Sequence, residues 1–469
     1  MDSLFKLREN GTTVGKEVVA GVTTFVTMAY IVFVNPAILG TTGMDTGAVM
    51  LATCIGAAIG TFIMGLMANY PFAQAPGMGL NAFFAFTICG SLGYSWQAGL
   101  AAVFISGMMF IIITVTGLRE AIVNGIPASL KKAISAGIGL FIAYIGVKNA
   151  NFLTFTSDPG TYSMFGDSPD SATIVAGAGA VPAFNFANPT AILALIGLII
   201  TIKLVAKKVK GALIVGIAAT SAIGAALQFG SDGAFNVGIT PPSGFSLPSL
   251  APTFGKFAEG FGQLFTTDQG IGVAVISVVT ILISLTLVDM FDTIGTLIGT
   301  AAKAGFLDEN GNLPRARQAM MADAIATSAG AVLGTSTVTT YVESTAGVSA
   351  GGRTGLTSIT TGVLLLLSIF LAPVLGFVPS GATAPILIIV GVMMASSLKD
   401  IDWPDFRVAV PCFFTIVMMP FAYSISDGIA MGFIFYSLIN VFTGRAKEVS
   451  PVMYVFAALF ALRYVFLFT

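Results

Sequence analysis

Apolar runs of about 20 residues recur from Val18 to the C-terminus, with only short polar breaks between them. At about 1.5 Å per residue, a helical run of that length crosses the hydrocarbon core of a bilayer. The 469 residues are 55% hydrophobic and only 9% charged, with a mean hydropathy of +0.92. A soluble domain carries roughly 25% charged residues, so this chain lacks the polar surface to cover a water-soluble globule. Inside a bilayer every backbone polar group must be satisfied within the protein, and runs of this length select helices. The fold class is therefore an all-α polytopic membrane protein. A net charge of −1 leaves no footprint for nucleic acid. Cys54, Cys89 and Cys412 each sit inside an apolar run and read as packing residues. Histidine is absent, so proton movement would fall to carboxylates, tyrosine or water. Neither a metal nor a cofactor is expected.

The N-terminal MDSLFKLRENGTTVGKE is polar and has no cleavable signal pattern. Lys6, Arg8 and Lys16 precede the first span, Val18–Leu39, and place the N-terminus in the cytoplasm. A second span covers Ala48–Ala68. Pro71, Pro76, Gly77 and Gly79 then rule out a full-length helix, predicting an extended segment near Ala73–Gly77 and a short helix from Met78. The fourth span, Trp96–Gly117, ends at Arg119, and Lys131 and Lys132 open a fifth that closes near Lys148. Asn149–Ala187 holds Asp158, Asp167 and Asp170 but no Lys or Arg, which puts it outside. The sixth span, Asn188–Ile202, is followed by Lys203, Lys207, Lys208 and Lys210, and the seventh is Gly211–Phe229. A Pro/Gly-rich loop over 230–269 contains an expected interfacial helix near Phe254–Phe265. The eighth span, Gly270–Ala302, is longer than a crossing needs and must tilt or project inward. Lys303, Arg315 and Arg317 follow it. Then come Ala319–Leu333, the Thr/Ser-rich break Gly334–Gly352, Arg353, and spans at 355–376, 381–398, 408–422 and 427–443. A last run, Tyr454–Phe468, contains Arg463 and is open between a crossing, an interfacial and a half-helix role. The expectation is about 14 transmembrane segments.

Interrupted segments fall third (Ala73–Asn81) and tenth (Gly334–Gly352), which correspond if each half holds seven spans. Seven is odd, so the halves would be inverted and the two breaks would run antiparallel. VTTY at 338–341 reads as a short strand. Two short antiparallel strands, each followed by a half-helix, would pair their own backbone at the midplane and suit a polar ligand. Pro127 with Gly139, and Pro379 with Gly391, give a weaker match between the fifth and twelfth spans.

Three carboxylates lie where the bilayer should be: Asp289 and Asp292 in LVDMFDTIGTLIGTA, and Glu343 in GTSTVTTYVESTAGVSAGG. At about 1.5 Å per residue, Asp289 lies roughly 5 Å, and Asp292 roughly 9 Å, from the middle of the eighth span. An ionisable group at that depth marks a functional site unless it is paired or capping. Asp289, Asp292 and Thr296 share one helix face, and Asp289 could simply brace its neighbour. Gly295 and Gly299 form a small-xxx-small pair, predicting close approach of another helix. For Glu343 the structural alternative is a packing ion pair with Arg353. For Asn81 it is a helix cap. Phe83, Phe84 and Phe86 read as core or lipid-facing aromatics, and the lysines at 203–210 as a topology signal.

TTFVTMAYIVFVNPAIL (23–39), APGMGLNAFFAF (75–86), LVDMFDTIGTLIGTA (287–301), TTYVESTAGVSAGGRTGLTS (339–358) and SDGIAMGF (426–433) together resemble the xanthine/uracil permease superfamily, within it the adenine/guanine/hypoxanthine branch. The resemblance implies a 7+7 inverted repeat with short extended strands in segments 3 and 10. It implies core parts at 1–125 and 270–376 moving against gate parts at 126–269 and 377–469. It implies uptake of a purine nucleobase with a proton, elevator-type alternating access, a homodimer and a place in the cell membrane, and no enzymatic activity. The family's substrate-binding acids fall on Asp292 and Glu343 and its segment-3 asparagine on Asn81, with Thr296, Thr340 and Ser344 beside them. Related uracil carriers have a histidine where this chain has Thr296, so the proton-coupling role moves to Glu343 and Asp292, with Asp289 in reserve. A purine edge offers N–H donors that carboxylates accept, while threonine and asparagine both donate and accept. An anion or other small-solute transporter or channel on the same fold is the alternative, against which the paired acids argue. A membrane-embedded enzyme lacks a nucleophile motif here.

Overall fold

The computed structural model describes residues 2–117, 125–157, 180–231, 234–240, 247–265, 271–308 and 313–467. Arg119, Asp158, Asp167, Asp170 and Gly270 lie outside the described residues. After a one-turn helix α1 (Asp2–Phe5) come α2 (Val14–Met28), α3 (Ile31–Leu39), α4 (Thr46–Ile63), β1 (Gln74–Pro76), α5 (Met78–Ala82) and α6 (Trp96–Thr116). α7 (Ala128–Asn149), β2 (Leu153–Ser157), β3 (Ala180–Phe184), α8 (Pro189–Ala206), α9 (Ala212–Gly230) and α10 (Phe257–Gln263) follow. The second half holds α11 (Ile271–Ala304), α12 (Ala316–Leu333), β4 (Val338–Thr340), α13 (Ser344–Ser349), α14 (Gly355–Leu367), α15 (Ser380–Ala395), α16 (Phe406–Phe421), α17 (Ile425–Phe442) and α18 (Pro451–Leu467).

Among the described residues, ten helices are long and apolar enough to cross a membrane, with shorter apolar helices at Met78–Ser91, Phe406–Phe421 and Pro451–Val465. Ten, not fourteen, of the expected segments therefore meet that standard; the others are shorter, less apolar or broken. Polar residues set the starts. Asp45 accepts from the Ala48 N–H at 2.7 Å, Asn188 from Ala191 at 2.8 Å and Ser95 from Ala98 at 3.2 Å, satisfying amides that a helix start leaves open. The long eighth span is found as one helix of 34 residues. A helix is found in the expected place as α10, packed on α6 through Phe104 and Phe257, whose rings are 4.5 Å apart. At Gly260 a Cβ would sit 1.9 Å from the Gln97 carbonyl oxygen, so this contact requires glycine.

The expected strand pair is present. β1 runs antiparallel to β4, with Gln74 opposite Thr340, Ala75 opposite Thr339 and Pro76 opposite Val338. The Gly77 N–H donates to the Thr337 carbonyl at 3.0 Å and Tyr341 N–H to the Ala73 carbonyl at 2.9 Å, closing the ladder at both ends. Each strand leads directly into a short helix, α5 or α13. This backbone is non-helical yet fully buried, as irregular structure in a membrane protein must be.

Three features depart from the sequence reading. The helix of the first span is interrupted at Ala29 and Tyr30, and Tyr30 lines the central cavity. β2 and β3 pair as a second antiparallel ribbon in the loop after α7. Gly295 and Gly299 receive no neighbour: a Cβ at either would meet nothing within 4 Å, so they keep a face of α11 open instead of docking another helix. Close approach occurs elsewhere. A Cβ at Gly139 would lie 2.7 Å from the Gly391 carbonyl, and one at Gly391 would lie 2.4 Å from that of Gly139, so α7 and α15 touch through the two glycines of the weaker repeat match. Phe83, Phe84 and Phe86 are buried in the main core.

Candidate functional site

The β1–β4 ribbon, α11 and the junction between α2 and α3 converge on a cavity of about 410 Å³. Asp292, Gly295 and Thr296 reach it from α11, Thr340, Tyr341, Val342 and Glu343 from the end of β4, and Tyr30 from the junction. Ser135 of α7, Met393 and Met394 of α15, and Ser397 close the opposite wall. The volume falls in the roughly 300–1,000 Å³ range of small-molecule pockets. Both charged groups in the lining, Asp292 and Glu343, are acidic.

Glu343 is held from across the fold: the Tyr30 hydroxyl donates to its Oε1 at 2.7 Å. The alternative ion pair with Arg353 is not made. The Arg353 guanidinium donates instead to the carbonyls of Val348 at 2.8 Å and Gly352 at 2.7 Å. Asp292 lies beside Gly77, where a Cβ would be 3.5 Å from Oδ2 of the carboxylate and 2.6 Å from the Thr339 methyl. The Thr339 methyl, not the acid, is what demands glycine at 77, since 3.5 Å is an ordinary contact.

The other expected site residues divide. Thr340 lines the cavity, but its hydroxyl donates to Asp323 Oδ1 at 3.0 Å. It therefore faces a ligand chiefly through its remaining acceptor capacity. Asn81 is fully buried and outside the lining; its Oδ1 accepts from the Ser336 hydroxyl and its backbone N–H donates to the Gly77 carbonyl at 2.8 Å. It ties α5 to the segment before β4. Ser344 accepts from the Ala73 N–H at 2.9 Å and anchors β1 to α13. Asp289 is buried about one turn from Asp292 and also outside the lining.

Asp323 was missed as a site residue. It is fully buried on α12 and accepts from Gln74 Nε2 at 3.0 Å, from Thr340 and, through its other oxygen, from Thr293. Thr293 and Thr339 share a 2.9 Å hydrogen bond. One carboxylate therefore joins α11, α12 and both strands behind the cavity. The sequence carries only a weak signal for it: an acid in a helix that also holds Arg317, Gln318, Thr327 and Ser328. Tyr30 was equally unmarked, because a tyrosine in an apolar run reads as core.

A second cavity of about 570 Å³ shares Ser135, Asp292, Gly295, Thr296, Met394 and Ser397 with the first. It extends to Lys131, Lys132 and Asp400, the last of them exposed. The two form one passage from the acids to the end of the molecule where α7 begins.

A polytopic helical protein with a ligand-sized cavity at the crossing of two broken segments is built as a membrane carrier. The chain belongs to the Permease family (Xan_ur_permease), whose sequence profile matches residues 15–431. It is a membrane transport protein and not an enzyme. It is 42% identical over 468 residues to the adenine permease AdeP of Escherichia coli, covering 100% of this chain and 96% of that one. It is also 42% identical over 476 residues to the guanine/hypoxanthine permease PbuG of Bacillus subtilis, covering 100% of both. Among solved structures, the transmembrane domain of a cyanobacterium bicarbonate transporter, BicA, superposes with a TM-score of 0.60 at 18% identity, covering 88% of this chain and 97% of that one. That likeness concerns the fold alone.

Proposed function

We propose that this permease imports purine nucleobases, adenine, guanine or hypoxanthine, across the cell membrane together with a proton. The observation that carries the reading is the convergence of Asp292 and Glu343 on one cavity whose lining holds no basic side chain. A neutral, donor-rich heterocycle suits such a lining and an anion does not. The permeases that this chain resembles over its whole length are named for adenine, guanine and hypoxanthine, which supports the purine class.

In this reading Asp292 and Glu343 accept from the ring edge, Thr296 and Thr340 contact the rest of it, and Asn81 and Ser344 hold the strands that present them. A proton on one of the two acids accompanies the substrate, because a neutralised site crosses the low-dielectric interior at lower cost than a charged one. Asp289 is a reserve carboxylate one turn away. The chain counts as fourteen segments in a 7+7 inverted repeat, with its N-terminus in the cytoplasm and the carrier working as a homodimer. Residues 1–125 and 270–376 form the core that carries the site past a gate made of 126–269 and 377–469.

The test is uptake into proteoliposomes under an imposed inward proton gradient, with adenine, hypoxanthine, guanine and uracil in parallel. Accumulation of a purine that collapses with a protonophore is expected, as is its loss in both Asp292→Asn and Glu343→Gln. Concentrative uptake that survives both substitutions overturns the site. No purine uptake at any gradient overturns the substrate.

A further inference from the structure

SDGIAMGF (426–433) and the buried arginine of the last apolar run have no part in the cavity just described. They meet in a second polar cluster. Between α16 and α17 the chain turns at Tyr423, which holds φ +53°, a left-handed conformation that a non-glycine residue adopts only when its surroundings impose it. The surroundings are specific. The Tyr423 ring packs against Phe86 at 5.7 Å and Phe141 at 5.4 Å, and its hydroxyl accepts from Lys148 Nζ at 3.2 Å. The Ile425 N–H donates to Thr87 Oγ1 at 3.2 Å, and Ser426 Oγ lies 2.9 Å from Ser284 Oγ of α11. Residues 423–427 thus touch both the broken third segment and the long helix that carries Asp292.

Behind this turn stands α18. Arg463, only 4% exposed, donates to Asp427 Oδ1 at 3.1 Å and to Ser426 Oγ at 3.3 Å, and the Tyr464 hydroxyl donates to the same Asp427 oxygen at 2.8 Å. A guanidinium can only donate. Ser426 must therefore accept from Arg463, and either hydroxyl can donate in its bond with Ser284. The arginine fixes the position of the turn against α11.

Location gives the cluster a role. α7 has 22 residues and spans about 33 Å. The passage to the acids runs toward its first turn, at Lys131 and Lys132, whereas Tyr423 sits against its last, at Lys148. The 423–427 turn therefore closes the molecule on the side away from the mouth. Building on the carrier reading above, we propose that this turn is the latch between the moving core and the gate on that side. Thr87 and Ser284 are the core contacts that it must release for the site to open there, and Arg463, Asp427 and Tyr464 are positioning residues that hold it ready.

The test uses the whole protein in membranes, with Cys54, Cys89 and Cys412 replaced by alanine and cysteines introduced as Ser284→Cys and Ser426→Cys. Diamide, taking up two electrons and two protons, joins the pair as a disulfide. Oxidation is expected to lower purine uptake at least ten-fold and reduction to restore it. A disulfide that forms and leaves uptake unchanged shows that the two parts never separate there, and overturns the latch; failure of the pair to cross-link shows that the contact is not made, and does the same. In this background Arg463→Ala should slow cross-linking at least five-fold, Tyr464→Phe two- to three-fold, and the exchange of Arg463→Asp with Asp427→Arg should recover most of the rate. An unchanged rate in both Arg463→Ala and Tyr464→Phe overturns the bracing role. Cross-linking needs no substrate. If the unsubstituted protein takes up no purine, the purine reading fails while the rates still judge the brace.

Discussion

Glu343 and Asp292 present the same chemistry at different levels of restraint. Asp292 projects from a continuous helix, whereas Glu343 follows a strand of three residues and depends on a tyrosine that is over 300 positions away in sequence. Hydrogen bonds involving a charged partner contribute about 1.5–3 kcal/mol. Removing the Tyr30 hydroxyl should therefore leave the carboxylate in place but loosely aimed. Tyr30→Phe is expected to raise the KM for a purine roughly ten-fold, with detergent-solubilised protein melting close to the parent temperature. A KM unchanged in Tyr30→Phe would mean that Glu343 is positioned by its backbone alone. The acids themselves were legible because a bilayer makes any carboxylate conspicuous. Their supports were not: Tyr30 looks like core, and Asp323 looks like the boundary charge of the next helix until Gln74, Thr293 and Thr340 are seen to converge on it. Glu17 was hidden in the same way. It reads as one more charge before the first span, yet it is fully buried and accepts from the amides of Arg353, Thr354 and Thr357, at 2.9, 3.2 and 3.2 Å, at the start of α14.

At the level of elements, the two breaks were readable because proline and glycine forbid a helix where hydropathy demands a crossing. Their register was not, because three residues on each side carry no alternating pattern long enough to fix it. Packing fixes it: glycine at 77 fits under the Thr339 methyl and nothing larger does. An added methyl in a tight interior typically costs about 1–3 kcal/mol. Gly77→Ala should therefore push β1 away from β4 and lower both the melting temperature and the uptake rate. Thr339→Ser deletes the methyl that is struck and retains the hydroxyl bonded to Thr293. The double variant Gly77→Ala/Thr339→Ser is thus expected to regain a substantial part of both losses. Equal defects in the single and double variants would place the strain elsewhere. The small-residue pair at Gly295 and Gly299 illustrates the converse ambiguity. Its spacing suits helix docking and an open cavity wall alike, and only the position of the neighbours distinguishes them.

For the whole molecule, hydropathy placed the helices along the chain but could not say which pack together. Helix contacts within a bilayer rest on small residues and polar pairs rather than on exclusion of water. Gly139 against Gly391 and Arg463 against Asp427 are of that kind; the first joins parts about 250 positions apart and the second ties together the last two helices. The assembled result is asymmetric. The passage from the acids reaches Lys131, Lys132 and Asp400 at one end of α7, while the 423–427 turn fills the other. In the proposed topology the lysine-rich ends face the cytoplasm, and in that topology this arrangement is open inward. Ser135 reports on it directly, because it lines both cavities and serine to cysteine is a small change. With the native cysteines replaced by alanine, Ser135→Cys should react with a membrane-impermeant maleimide in inside-out vesicles, and a saturating purine should slow that reaction several-fold. In right-side-out vesicles it should react far more slowly, because the reagent must wait for the latch to open. The reverse preference would invert the topology argued from the lysines. Equal rates from both sides would describe a pore, since only a barrier that moves from one side of the site to the other lets a carrier couple its substrate to a proton.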